Sequence, residues 1–278
     1  MAYDKVDGNE AGAAVSQEPV AELKMTVLGS GSSGNCSLIS CGEVHVLIDA
    51  GFSGKEIERR LALRGFDAND LTAVLVTHEH SDHIRSVHTL SHRYRIPLFC
   101  TQGTFGAAVD GKRFYDWVEV TPGRCFKLGE MWFYPISLPH DAEDPIGFRV
   151  ETGDRVLAHM TDFGYGSGLV RESLRGCDTI MVEANHDLEM LKDGPYPWPL
   201  KQRIASRLGH LSNEAMLEML PEMLHDGLKH MVLGHLSDTN NDPRLLTISL
   251  KRALRRLGMP DLPFTIALQD TPLETMTV

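Results

Sequence analysis

Seven residues in the first third of the chain constrain its fold more than anything else in it. Thr77-His78-Glu79-His80-Ser81-Asp82-His83 places four potential metal ligands within six residues, directly after the apolar run Ala73-Val74-Leu75-Val76. Imidazole nitrogen and carboxylate oxygen suit divalent transition metals. A turn between a buried strand and a helix can aim alternate side chains at one ion and the next two at a second. A coincidental run of polar residues at a helix start rarely takes this form. The chain must therefore build a rigid strand edge that holds this turn and brings further ligands to it.

The surrounding pattern supplies such edges. Short apolar runs alternate with amphipathic stretches: KMTVLGS (24 to 30), EVHVLIDAG (43 to 51), AVLVT (73 to 77), PLFCT, MWFYPISL, GFRVET, RVLAHMT, TIMVEAN, HMVLGH and FTIAL read as strands. GFRVET and RVLAHMT meet at Gly153 and Asp154 as a hairpin. KEIERRLALRG reads as a helix ended by Gly65, and a further helix is expected from Ser81, with Asp82 in its first turn and Val87, Leu90 and Tyr94 at helical spacing. Strands in both hairpin and βαβ contexts predict a mixed α/β sheet system with outer helices.

At 278 residues and 42% hydrophobic content the chain can bury a large core. The opening segment differs. Asp4, Asp7, Glu10, Glu18 and Glu22 against Lys5 place −4 of the formal −11 charge there, so residues 1–22 read as a mobile, dispensable tail ahead of one domain over 23–278. The net charge argues against a protein coated with nucleic acid, but carboxylates in a metal site are neutralised by the ions they hold. No window approaches the roughly 18 apolar residues of a membrane span, and the first residues are too polar for a signal peptide, so a cytoplasmic location is expected. Five cysteines, with no CxxC pair, leave at least one outside any intramolecular disulfide scheme and read as buried or free thiols.

The HxHxDH pattern resembles the signature of the metallo-β-lactamase fold, an αββα sandwich of two mixed sheets flanked by helices. That resemblance implies a ligand set. His78, His80 and His140 would bind one divalent ion, Asp82, His83 and His235 a second, and Asp162 would bridge them, with zinc or manganese as the expected metals. His140, Asp162 and His235 each end an apolar run, and ligands collected at one edge of a sheet sandwich can converge. Asp49 in LIDAG resembles the aspartate that orients the metal loop. LGSGSSGNCSLI, VEANHDLEML, GPYPWPLKQRI, GHLSNE and GHLSDTNND narrow the resemblance to the YycJ/WalJ-like group, from about Leu28 to the C-terminus, with Ser86 standing where a glycine is expected.

The chemistry implied is a metal-dependent hydrolase using a metal-bridging hydroxide, with Asp82 also holding or deprotonating that nucleophile. His210 in GHLSNE resembles the histidine that phosphodiesterases of this fold place near the scissile phosphate, where it would protonate the leaving oxygen. His186 in EANHD is a second candidate, for phosphate contact or for holding a metal ligand. The Gly29-to-Asn35 loop reads either as an anion cradle, with Ser32 and Asn35 touching substrate, or as a tight turn. Arg85, Arg93 and Arg95 beside the metal loop, and Lys201, Arg203 and Arg207 leading to His210, are candidate groove cations; Lys251, Arg252, Arg255 and Arg256 read as a solvated helix face. His45, His88, His92, His159, His225 and His230 have no motif context.

The group resemblance implies a nuclease, a 5′-to-3′ DNA exonuclease, with DNA favoured over RNA as substrate and no membrane partner. A secreted β-lactamase would need an export signal and lacks the bridging aspartate, and a flavodiiron-type protein would carry Glu at the position of His80. A glyoxalase II-like thiolester hydrolase is the alternative chemistry. A non-catalytic regulatory metal-binding module is the alternative of another class, opposed by the complete ligand set.

Overall fold

The computed structural model describes residues 21–108 and 114–278. The tail expected over 1–22 therefore lies almost wholly outside the described residues. Strands β1 (Leu23–Gly29), β2 (Cys36–Cys41), β3 (Val44–Ile48), β4 (Leu71–Leu75), β5 (Leu98–Cys100) and β6 (Trp117–Glu119) begin one sheet. Strands β7 (Phe126–Leu128), β8 (Met131–Ser137), β9 (Ile146–Thr152), β10 (Arg155–Met160), β11 (Thr179–Glu183), β12 (His230–Gly234) and β13 (Phe264–Ile266) form the other. The last strand, β14 (Met276–Thr277), returns to the first, giving orders β14-β1-β2-β3-β4-β5-β6 and β13-β12-β11-β10-β9-β8-β7. Each sheet is antiparallel in one half and parallel in the other, with β3 to β6 and β10 to β13 running parallel.

Period-two alternation sets the layers. Met25, Val27, Ile39, Val46 and Ile48 face Phe133, Phe148, Val150 and Leu157 across the gap between the sheets. Their neighbours Leu28, Leu38 and Leu47 turn outward onto Ile57 and Leu61 of α1 (Gly54–Leu63) and Leu90 of the helix after the metal loop. The loop continues as α2 (Ser81–Ile84) and α3 (Val87–Tyr94), and α4 (Gln102–Ala108) follows β5. On the far side lie α5 (Gly168–Leu174), α6 (Leu188–Asp193), α7 (Trp198–Ile204), α8 (Asn213–Met223) and α9 (Pro243–Arg256). Met216 and Leu220 of α8, with Leu246, Leu250 and Leu254 of α9 at a spacing of four, cover the second sheet. The result is the expected αββα sandwich. No helix among the described residues is long and apolar enough to cross a membrane.

Two readings differ from the structure. The single helix expected from Ser81 is broken at Arg85 and Ser86. The buried Ser86 donates its backbone N–H to Ala50 O and its hydroxyl to Phe52 O, anchoring the chain to the turn after β3 where a continuous helix would swing away. Strands β2, β6, β7 and β14 carry little pattern of their own. β2 is CSLISC, whose buried serines look like loop residues, and the others have two or three residues at or near sheet edges.

Candidate metal centre

The C-terminal ends of the parallel strands meet at one edge, where chains leaving a sheet can converge on a ligand. Asp49 follows β3, His78 follows β4, Asp162 follows β10, Glu183 ends β11 and His235 follows β12. Asp49, Asp162 and His235 have φ of 63°, 65° and 54°, a left-handed backbone that costs a non-glycine residue of order 1–3 kcal/mol and tends to mark functional sites. The metal loop is clamped from two sides. Ala50 N–H donates to His83 O and Asn35 N–H to Asp82 O, both at 2.8 Å. Only glycine fits at position 51, because a Cβ there would lie 1.6 Å from Asp82 O. Asp49 acts as the loop's anchor, accepting from Thr77 N at 2.8 Å, Thr77 Oγ1 at 2.9 Å and His83 Nδ1 at 2.8 Å.

All seven residues expected to hold metal are brought together. His78, His80 and His140 form one group of donor atoms within 4.8 Å of one another; Asp82, His83 and His235 form a second, and Asp162 joins His78 and His83. The spacing suits coordination. Two ligands at about 2.05 Å from a tetrahedral ion stand about 3.3 Å apart. Here His80 Nδ1 and His140 Nε2 are 3.3 Å apart, His235 Nε2 and Asp162 Oδ1 3.3 Å, and His83 Nε2 lies 3.5 Å from both Asp82 Oδ2 and Asp162 Oδ2. His78 Nε2, His235 Nε2 and Asp162 Oδ2 are buried without a hydrogen-bond partner. Buried polar atoms in a well-ordered site normally have partners, so orphaned atoms on members of both donor groups fit the role of cation ligands. The opposite ring nitrogens are fixed: His78 Nδ1 on Thr77 Oγ1, His140 Nδ1 on Gly209 O, and His235 Nδ1 on Glu183.

Glu183 was not singled out from the sequence. It is fully buried, takes hydrogen bonds on Oε1 from His210 Nδ1 (2.7 Å) and His235 Nδ1 (3.1 Å), and accepts on Oε2 from Phe163 N–H at 2.9 Å. Glu183, His210 and His235 also cluster with Asp162 closely enough to hold a cation, but the 2.7 and 3.1 Å contacts to Glu183 are hydrogen-bond lengths, and we read the three as a hydrogen-bonded hub. The signal for Glu183 was available: TIMVE is another apolar run ending in a carboxylate.

The remaining candidates divide. Ser32, Asp82, Arg203 and His210 line a cavity of about 380 Å³ above the donor groups. Asn35 does not line it. Its Oδ1 accepts from Ser30 Oγ and Gly31 N–H, and its Nδ2 donates to Gly31 O and sits 3.1 Å from His83 Nε2, so it ties the glycine-rich turn to the metal loop. His186 is buried outside the cavity lining with Nδ1 against Asn185 Oδ1, and it is Asn185 that reaches the cavity and His235. Arg85 is exposed away from the lining, Arg93 pairs with Glu58, and Arg95 lies over Tyr115. Lys201 donates to Lys192 O, while Arg203 is held bidentately by Asp141.

Charge in the metal-free site is balanced by protons. Burial lowers the pKa of His78, and the neighbouring His83, His140 and His80 lower it further, leaving a neutral, ligand-ready ring. Burial also opposes charging of His235, yet the carboxylates of Asp162, Asp82 and Glu183 overcome it and raise its pKa to about 10. His83 is likewise raised, against burial, by Asp162 and Asp49. His235 is therefore protonated at pH 7 without metal, whereas ligation requires the neutral form. Metal uptake should release about one proton from it, and apparent affinity should fall as pH is lowered from about 10. Calorimetric titration of Zn²⁺ or Mn²⁺ into metal-free protein, in buffers of different ionisation enthalpy, measures this; a heat independent of buffer refutes it.

Fold and site together define a metal-dependent hydrolase. The family pattern described as a beta-lactamase superfamily domain matches residues 45–236. The chain is 34% identical over 244 residues to the exodeoxyribonuclease YycJ of Bacillus anthracis, covering 85% of this chain and 90% of that protein. It is 35% identical over 263 residues to the exodeoxyribonuclease WalJ of Streptococcus pneumoniae, covering 92% and 96%. Among solved structures, the metallo-beta-lactamase fold protein YhfI from Bacillus subtilis superposes with a TM-score of 0.68 at 17% identity, over 91% of this chain and 99% of that one. The chain belongs to the beta-lactamase superfamily and, within it, to the YycJ/WalJ-like group.

Proposed function

We propose that this protein is a two-metal phosphodiesterase that hydrolyses nucleic acid, with DNA as its substrate and 5′-to-3′ exonucleolytic cleavage as its mode. The observation that carries the phosphodiester reading is the buried Glu183 carboxylate holding His210 Nδ1 at 2.7 Å, with His210 on the cavity wall beside the donor groups. An imidazole fixed through Nδ1 has Nε2 left to give a proton, which an alkoxide leaving group needs and a thiolate does not. That asymmetry favours a phosphodiester over a thiolester. The names of the similar YycJ and WalJ proteins support DNA.

His78, His80 and His140 would hold one ion, Asp82, His83 and His235 the other, and Asp162 both. When bound, such a pair of ions lowers the pKa of a shared water and draws charge from the phosphate oxygens. The chain's own side chains supply the rest. Asp82, part-exposed at the cavity floor, orients the attacking water and takes its proton. Arg203 and Ser32 hold the non-bridging phosphate oxygens, and Leu200 and Ile204 close the cavity wall against bulk water. His210 delivers the proton to the departing oxygen.

The test is end-labelled DNA and RNA, single- and double-stranded, incubated with Mn²⁺ or Zn²⁺. The expected outcome is stepwise release of nucleotides from the 5′ end of DNA. Cleavage of a thiolester such as S-lactoylglutathione, with no nucleic acid degraded under either metal, overturns the reading.

A further inference from the structure

The segment Gly194-Pro195-Tyr196-Pro197-Trp198-Pro199 has no place in the chemistry above, yet it forms part of the same cavity. It joins α6 to α7 and is unusually stiff. Prolines 195, 197 and 199 fix their own φ, and Tyr196, preceding a proline, is restricted to extended backbone. Pro197 is itself extended at φ −64° and ψ 149°. The segment is pinned at its start, because a Cβ on Gly194 would lie 2.3 Å from Asn240 Oδ1, and the Lys201-to-Lys192 hydrogen bond of 2.6 Å closes the corner between the two helices.

None of the side chains of α7 is buried. A helix with apolar residues and no buried face is not there to fill a core. Leu200 and Ile204 line the cavity together with Tyr196, so one wall is aromatic and aliphatic while the floor carries the donor groups. The same helix presents Arg203, locked by Asp141 at 2.5 and 3.1 Å. A cation for phosphate and a flat apolar wall on one short element match the two halves of a nucleotide, and about 380 Å³ suits one such unit.

Resting on the phosphodiesterase reading, we propose that Tyr196 stacks on the base of the nucleotide being removed, so that the enzyme selects an end whose terminal base has left its neighbour. Stacking is sequence-tolerant because every base has a π-face, and a ring on a proline-stiffened strut loses little freedom on binding. Trp198, the other aromatic of the segment, is 66% exposed and does not line the cavity.

The experiment compares kcat/KM on two DNA duplexes that differ only at the 5′-terminal nucleotide, one normal and one abasic. The wild-type enzyme should prefer the normal end by about 10-fold. Tyr196→Ala should slow only the normal substrate and erase the preference, with Tyr196→Phe and Trp198→Ala retaining it. Equal cleavage of the two ends by the wild type overturns the proposal, whatever the variants do. So does an equal loss on both substrates in Tyr196→Ala, which marks a structural role. A wild type that degrades neither duplex overturns the proposal, and one that also degrades no single-stranded nucleic acid removes the phosphodiesterase reading with it.

Discussion

His210→Ala lowers cleavage of nucleic acid by about 10²-fold or more, the contribution of a positioned general acid, while bound metal stays at the wild-type level. The separation is expected because His210 spends Nδ1 on Glu183, the hydrogen bond that holds it within the cluster of Asp162, Glu183 and His235, and is not among the seven residues assigned to the two ions. The signature lies in the leaving group. A nucleotide 5′-ester of p-nitrophenol releases p-nitrophenolate, a stabilised anion that needs no proton, so the variant should recover most of its activity on it. Steady-state rates on the two substrates, with metal content measured on the same samples, give the answer. Equal losses would assign His210 to phosphate binding, and unchanged cleavage of nucleic acid would remove it from the chemistry.

Asp162→Ala, by contrast, loses metal and all activity together. Asp162 Oδ1 lies 3.3 Å from His235 Nε2 and Oδ2 lies 3.5 Å from His83 Nε2, so its carboxylate touches the second donor group directly while also joining His78. Removing it takes negative charge from a buried cluster of imidazoles. A loss of affinity well beyond the 10- to 100-fold typical of a residue that only supports a ligand is expected. Alanine also strains a backbone at φ 65°. Asp162→Asn separates the two effects, since asparagine tolerates that conformation and removes only the charge. Elemental analysis after dialysis should find both variants depleted; full metal in Asp162→Asn would show that the carboxylate does not bridge.

The metal loop was legible because its ligands are local. Four donors within six residues, after a strand that announces itself by an apolar run, need no tertiary information to be recognised. The sandwich was legible for a related reason: period-two alternation in β1, β3 and β8 requires a buried surface on each side. Short strands such as β6 and β14 escaped because two or three residues carry no period, and β2 because Ser37 and Ser40 are polar by type. Ser37 is buried with its hydroxyl satisfied from the opposite sheet, where His159 Nε2 lies 3.0 Å away.

The functional residues divide the same way. The sequence by itself determined which side chains can bind metal and that they stand at strand ends, since ligand type and strand register are properties of neighbouring residues. Which of the other polar groups face the cavity was decided by tertiary structure alone. Asn35 and His186 carry suitable chemistry but do not line the cavity: Asn35 turns its amide onto Gly31, and His186 turns Nδ1 onto Asn185. Glu183 and Tyr196 reach the site from segments far from the metal loop in sequence. A hydrogen bond such as Glu183 to His210 spans 27 residues and exists only because β11 and the turn before α8 pack against each other. No local pattern encodes that contact, because its partners are set by the packing of whole layers.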